Sequence, residues 1–111
     1  MSDYLRNEIM RVLQGHRGRP NAMPRDRLME ALKLFKPELN DRDFRKLYTV
    51  LPVCSCSDGL FLPTSTAEVL EFRDYLSRGP GGPITAWRRY ATILSFYPQL
   101  APPAEQLHLG I

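Results

Sequence analysis

Arg42, Arg45, Lys46 and Thr49 stand at i, i+3, i+4 and i+7, so a helix would carry them on one polar stripe. A guanidinium fork can grip guanine at two atoms, and lysine reaches guanine or phosphate. A second basic group suits phosphate oxygens. It comprises Arg17 and Arg19 in a loop, with Arg25 and Arg27 at the start of the helix that follows. Ser55 and Ser57, in a hairpin, could offer hydroxyls to a backbone phosphate, although Asp58 beside them would repel one. Each group also has a plainer reading: a solvated helix face, a surface loop and a tight turn.

Metal and catalytic chemistry find less support. Cys54 and Cys56 are two apart and face one way on a strand, but zinc takes four ligands and only His16 and His108 could add to them. Those histidines fall in a loop and a tail, so no metal and no cofactor is expected, and the cysteines read as a buried or half-buried thiol pair. No Ser-His-Asp arrangement, dinucleotide fingerprint or P-loop occurs. Asp41 and Asp43 do not share a helix face, and they suit the positive end of a helix better than acid–base work. The expectation is a protein that is not an enzyme.

The bulk properties agree. With 111 residues, 43% of them hydrophobic and 24% charged, the chain suits one globular domain with a modest core. Net charge is +3, and all of the excess lies in residues 1–59, which hold 11 Lys/Arg against 8 Asp/Glu. This mild basicity fits nucleic acid. Arginine-rich, proline-rich composition can equally reflect the genome of origin. The N-terminus lacks the apolar core of a signal peptide, and no apolar run nears the roughly 20 residues of a membrane span. A soluble, cytoplasmic protein with no membrane partner is expected.

The elements that would position these side chains follow from periodicity and caps. A first helix spans 3–14, with Leu5, Ile9, Val12 and Leu13 on its apolar stripe and Gly15 ending it. Residues 15–23 form a loop. A second helix runs from Pro24 to about Phe35, with Leu28, Ala31, Leu32 and Phe35 inward. Asn40 caps a third helix that reaches Leu51, with Phe44, Leu47, Tyr48 and Leu51 buried. The period then changes to two: Val53–Cys56 and Leu60–Leu62 make a hairpin about Ser57-Asp58-Gly59, since Asp-Gly tolerates the positive φ of such turns. Ser65 and Glu68 form a capping box for a fourth helix with Val69, Phe72, Leu76 and Tyr75 inward. Gly79-Pro80-Gly81-Gly82-Pro83 breaks the chain. A fifth helix over 84–97 carries Trp87, Tyr90, Leu94 and Tyr97 on one side, and 98–111 reads as a proline-containing tail.

Helix, helix, helix, hairpin, helix is the layout of a winged helix-turn-helix with one or two C-terminal helices. Cys54-Ser55-Cys56-Ser57-Asp58-Gly59-Leu60-Phe61-Leu62-Pro63, then Glu68 and Tyr75-Leu76-Ser77-Arg78, resembles small winged helix-turn-helix proteins of bacteriophages and prophages. The loop Arg17-Gly18-Arg19-Pro20-Asn21-Ala22-Met23 is similar to the same group, and the likeness covers roughly residues 5–78. It departs from the group where the Gly-Pro segment interrupts the last helix and where cysteines replace small polar residues at 54 and 56. The resemblance implies double-stranded DNA binding by a phage or prophage regulator or replication-associated factor. Residues 1–78 would be the winged-helix domain, 79–83 a linker and 84–97 a helix for homodimer formation through Trp87, Tyr90, Leu94 and Tyr97. The alternative is a protein-interaction module that binds and modulates a host enzyme; five acidic groups in residues 26–43 and the aromatic last helix favour it.

Overall fold

The computed structural model describes residues 2–103 and is mainly helical with one small antiparallel hairpin. Its elements are α1 (Ser2–Leu13), α2 (Arg25–Leu32), α3 (Asp41–Tyr48), β1 (Cys54–Cys56), β2 (Gly59–Phe61), α4 (Thr66–Ser77) and α5 (Gly82–Phe96). Short 3-10 turns occupy Arg19–Asn21 and Pro98–Leu100. Among the described residues no helix is long and apolar enough to cross a membrane.

Two hydrophobic clusters lie on either side of the hairpin. The first takes Leu5, Ile9 and Leu13 from α1, Leu28 and Leu32 from α2, Phe44, Leu47 and Tyr48 from α3, and Leu60 and Leu62 from the hairpin. The second takes Cys54 and Phe61 from the hairpin, Val69 and Phe72 from α4, and Tyr90 and Ile93 from α5. Leu60 and Leu62 therefore point one way and Phe61 the other, the alternation a strand imposes. Strand β2 is buried on both faces and separates the two clusters, while Ser55 and Cys56 of β1 are half-buried.

The hairpin pairs Cys54 with Phe61, Ser55 with Leu60 and Cys56 with Gly59. A third extended segment joins it. Met23 N–H donates to Leu60 O and Leu60 N–H to Met23 O, each at 2.8 Å. Periodicity could not reveal this bridge, because it involves one residue of a loop. The positive φ expected at Asp-Gly falls on Gly59 alone, at 134°, and Asp58 does not share it. The reason for glycine is close approach, since a β-carbon at Gly59 would stand 1.9 Å from Met23 O.

The caps form as their residue types require. The Asp43 N–H donates to Asn40 Oδ1 at 2.9 Å, and the Glu68 N–H to Ser65 Oγ at 3.2 Å. The reciprocal half of the expected capping box does not form. The Glu68 carboxylate instead accepts from the Thr64 N–H at 2.8 Å, the Thr64 hydroxyl at 3.0 Å and, across the molecule, the Arg19 N–H at 2.7 Å. It thereby pins the loop after α1 to the start of α4. Burial pushes the Glu68 carboxyl up, but these hydrogen bonds outweigh it and hold its pKa below the usual carboxylate value.

Several sequence expectations need correction. The second helix ends at Leu32, and Phe35 lies outside it, exposed and edge-on to the Tyr4 ring at 5.1 Å. Tyr75 is exposed rather than inward. The fifth helix is not cut loose from the core: α4 and α5 pack along each other as a helical hairpin, and Tyr90 is only 3% exposed. Its buried stripe is Ala86, Arg89, Tyr90 and Ile93, rotated from the aromatic stripe read in the sequence. Leu94 and Tyr97 pack against the second cluster and Trp87 is 53% exposed, so Tyr90 is a core residue and not part of a free self-association face. Residues 98–101 are not a loose tail either. Ala101 is buried, and the Thr66 hydroxyl donates to Leu100 O at 2.7 Å. His108 and the rest of the tail lie outside the described residues.

Candidate nucleic-acid interface

The α3 helix is held by its apolar side. Phe44, Leu47 and Tyr48 enter the first cluster, which turns Arg42, Arg45, Lys46 and Thr49 outward. The four side chains share one shallow surface depression with Asp41. Arg42, Arg45 and Lys46 make no hydrogen bond or ion pair with any described residue. Several cations elsewhere are neutralised at home: Arg11 pairs with Glu8 at 2.9 Å, Lys33 with Glu30 at 3.6 Å, Arg73 with Asp74 at 3.9 Å, and Arg6 with Asp3, whereas Arg27, Lys36, Arg78 and Arg88 form no ion pair with a described residue.

Arg25 does not behave as a free phosphate ligand. Its guanidinium donates to Asp41 Oδ1 at 3.0 Å and lies 5.0 Å over the Phe44 ring. It joins α2 to the start of α3 and pairs with Asp41, which shares the surface depression with Arg42. Arg27, two residues on, is exposed and unpaired among the described residues.

The expected phosphate-binding loop is also partly spent on structure. Arg17 donates to Gln14 at the end of α1. Arg19 faces Glu71 at 3.8 Å and lines a cleft between the hairpin and α4. Ser55, Ser57, Glu71 and Asp74 line that same cleft, so Ser57 and Arg19 look onto carboxylates rather than toward α3. Ser55 also lines a second groove that holds Arg45 and Thr49. Of the six residues expected to touch phosphate, Ser55 lines a groove with Arg45 and Thr49, and Arg25 reaches Asp41 beside Arg42.

Sequence reasoning missed the contribution of α5 to this second groove, which Arg88, Arg89 and Thr85 also line. The signal was present: Ala86, Arg89, Tyr90 and Ile93 lie at i, i+3, i+4 and i+7. An arginine in that stripe argued against burial.

Metal and thiol chemistry gain no support from the geometry. Among the described residues no group of three or more His, Cys, Asp or Glu could hold a metal ion. Cys54 is buried, and desolvation pushes its thiol up to about 12, far from the range of a reactive thiolate. His16 Nδ1 is spent on Asn21 O at 2.8 Å.

No protein-family model matches this chain, and no curated protein and no solved structure matches it.

Proposed function

We propose that this chain is a winged helix-turn-helix protein that binds double-stranded DNA and catalyses no reaction, with α3 in the major groove. The observation that carries the reading is the α3 stripe: Arg42, Arg45 and Lys46, unpaired and side by side, on a helix fixed by its opposite face. The order of elements supports the fold name, with the Met23 segment in the place of the third strand that joins wing to core. Arg25 supports it as well, because it removes the charge of Asp41 where DNA would approach. On the resemblance to phage and prophage proteins, the role would be regulatory or replication-associated, in the host cytoplasm. Self-association is retained in this proposal only through exposed Trp87, since two copies related by a two-fold axis would set two α3 helices on one duplex.

The deciding experiment is titration of duplex DNA at two salt concentrations by the parent and by Arg42→Ala/Arg45→Ala, with folding checked by circular dichroism. The parent should bind more tightly at low salt, with a slope of about −0.9 per neutralised phosphate, and the double variant should lose both affinity and slope. A folded double variant that binds like the parent sinks the reading.

One observation favours the alternative, a protein-interaction module acting on a host enzyme. Leu34 is 82% exposed and adjoins Phe35, whose exposed ring packs on Tyr4, an apolar surface far in character from the basic stripe. Absence of any duplex affinity at low salt would move this reading to first place.

A further inference from the structure

A groove of about 940 Å³ runs between the C-terminal end of α3, strand β1 and the α4–α5 hairpin. Arg45, Arg88 and Arg89 line it, together with the hydroxyls of Thr49, Ser55 and Thr85, and among the described residues no aspartate or glutamate does. Arg89 is 9% exposed. Its Nη2 donates to Val53 O at 2.8 Å, while its Nε is buried with no partner among the described residues. The rings of Phe72 and Tyr48 lie 5.1 and 5.7 Å from its guanidinium. Aromatic faces offset part of a buried positive charge, but no carboxylate among the described residues completes the job. Desolvation therefore holds the Arg89 pKa below the ordinary arginine value, and the charge of Arg45 adds to the effect.

A buried cation with an orphan donor, beside further like charges and without a counter-ion, destabilises the free protein. An anion in the groove would reverse the sign of that arrangement. We infer that the groove binds a phosphate group, gripped at the rim by Arg88 and Arg45, with Arg89 supplying positive potential from the floor and the hydroxyls of Ser55 and Thr85 as further donors. Guanidinium pairs match phosphate oxygens in charge and in fork geometry. Such a group can come from two sources, the backbone of a duplex or a free phosphate-bearing small ligand. The duplex case rests on the proposed reading of α3, whereas the anion chemistry of the groove stands apart from it.

The test uses the full chain with Arg88→Ala and Arg88→Glu, positions exposed enough to leave folding intact, which amide spectra would verify. In the first arm, inorganic phosphate is titrated at constant ionic strength while the side-chain Nε–H resonances of Arg88 and Arg89 are followed. A saturable shift of the Arg89 signal, weakened at least about tenfold in Arg88→Glu, is the charge dependence expected of a bound anion. In the second arm, duplex titrations across salt should show a slope smaller by about 0.9 in Arg88→Ala if the groove takes one backbone phosphate. A saturable shift with an unchanged slope assigns the groove to a free phosphate ligand, and a reduced slope alone assigns it to the duplex. If the parent fails to bind duplex, the α3 reading falls and the phosphate arm alone decides the groove. No saturable shift and no change in slope would overturn the inference.

Discussion

The carbonyl oxygen of Met23 lies 1.9 Å from where a β-carbon on Gly59 would stand, and the two chain segments meet there through the paired Met23–Leu60 hydrogen bonds. Gly59→Ala must displace that segment as well as strain a residue at φ 134°. Backbone strain of this kind costs about 1–3 kcal/mol, and each hydrogen bond lost adds about 0.5–1.5. Urea denaturation should show the loss. Gly15→Ala is the control, since its nearest neighbour would be Val12 O at 3.7 Å, and it should be close to neutral.

On α3 the exposed and buried faces should separate cleanly. Arg42→Ala or Arg45→Ala should remove about 1–3 kcal/mol of discrimination between duplex sequences if either reads a base. Stability should change little, because neither side chain has a hydrogen-bond or ion-pair partner among the described residues. Phe44→Ala and Leu47→Ala should instead destabilise by roughly 2–5 kcal/mol. Paired thermal melts and duplex titrations would show whether the two classes exist.

Arg25→Ala should act on the fold and on binding together. It removes the contact to Asp41 at 3.0 Å and the stacking on Phe44, worth roughly 1 kcal/mol combined at a partly exposed site. It also leaves Asp41 unneutralised beside Arg42. Arg25→Ala/Asp41→Ala should recover duplex affinity relative to Arg25→Ala alone. Failure to recover would return Arg25 to the role of a direct phosphate ligand.

Truncation after Arg78 tests what α5 is for. The helix buries Tyr90 and Ile93 against Phe61, Val69 and Phe72, so its removal should expose the outer face of the hairpin and cost the fold. Ile93→Ala should destabilise by roughly 2–5 kcal/mol. A truncated chain that unfolds with the parent's urea midpoint would mean that α5 is dispensable to the core.

Glu68 should couple stability to acid. Its folded pKa is depressed below the usual carboxylate value of 4.5, so its contribution is present above that value and lost as pH falls through the folded pKa. Glu68→Gln should flatten the stability profile below about pH 5 relative to the parent. Comparison of urea midpoints from pH 3 to 7 would reveal this, and parallel profiles would contradict it.

Much of the architecture is legible in the residues alone because the signals are local. Asn40 and Ser65 cap helices through a backbone N–H three residues away. The inward side of α3 follows from a repeat of 3.6, and the strand alternation of Leu60, Phe61 and Leu62 from a repeat of 2. A stripe of cations opposite the apolar side of α3 is visible for the same reason.

What no local pattern contains is which distant group each polar side chain meets. Arg25 finds Asp41 sixteen residues on, Arg89 finds Val53 across thirty-six, and the Arg19 N–H finds Glu68 across forty-nine. The first of those approaches turns Arg25 into an internal tie, and the Arg19 guanidinium faces Glu71 at 3.8 Å. The fold also buries an arginine whose charge, read from the sequence, places it in solvent. The aromatic residues of α5 mark one face in the sequence, yet packing against α4 selects another, because filling the space beside Phe61 and Phe72 outweighs exposing Trp87. The sequence thus determines where the helices lie, the Asn40 and Ser65 caps and the basic stripe, although α2 and α3 stop at Leu32 and Tyr48, short of the expected Phe35 and Leu51. Helical i,i+3 spacing already pairs Arg6 with Asp3 and Arg11 with Glu8, but tertiary packing decides the fate of Arg25 and Arg89, since only the folded chain brings Asp41 to the one and buries the other.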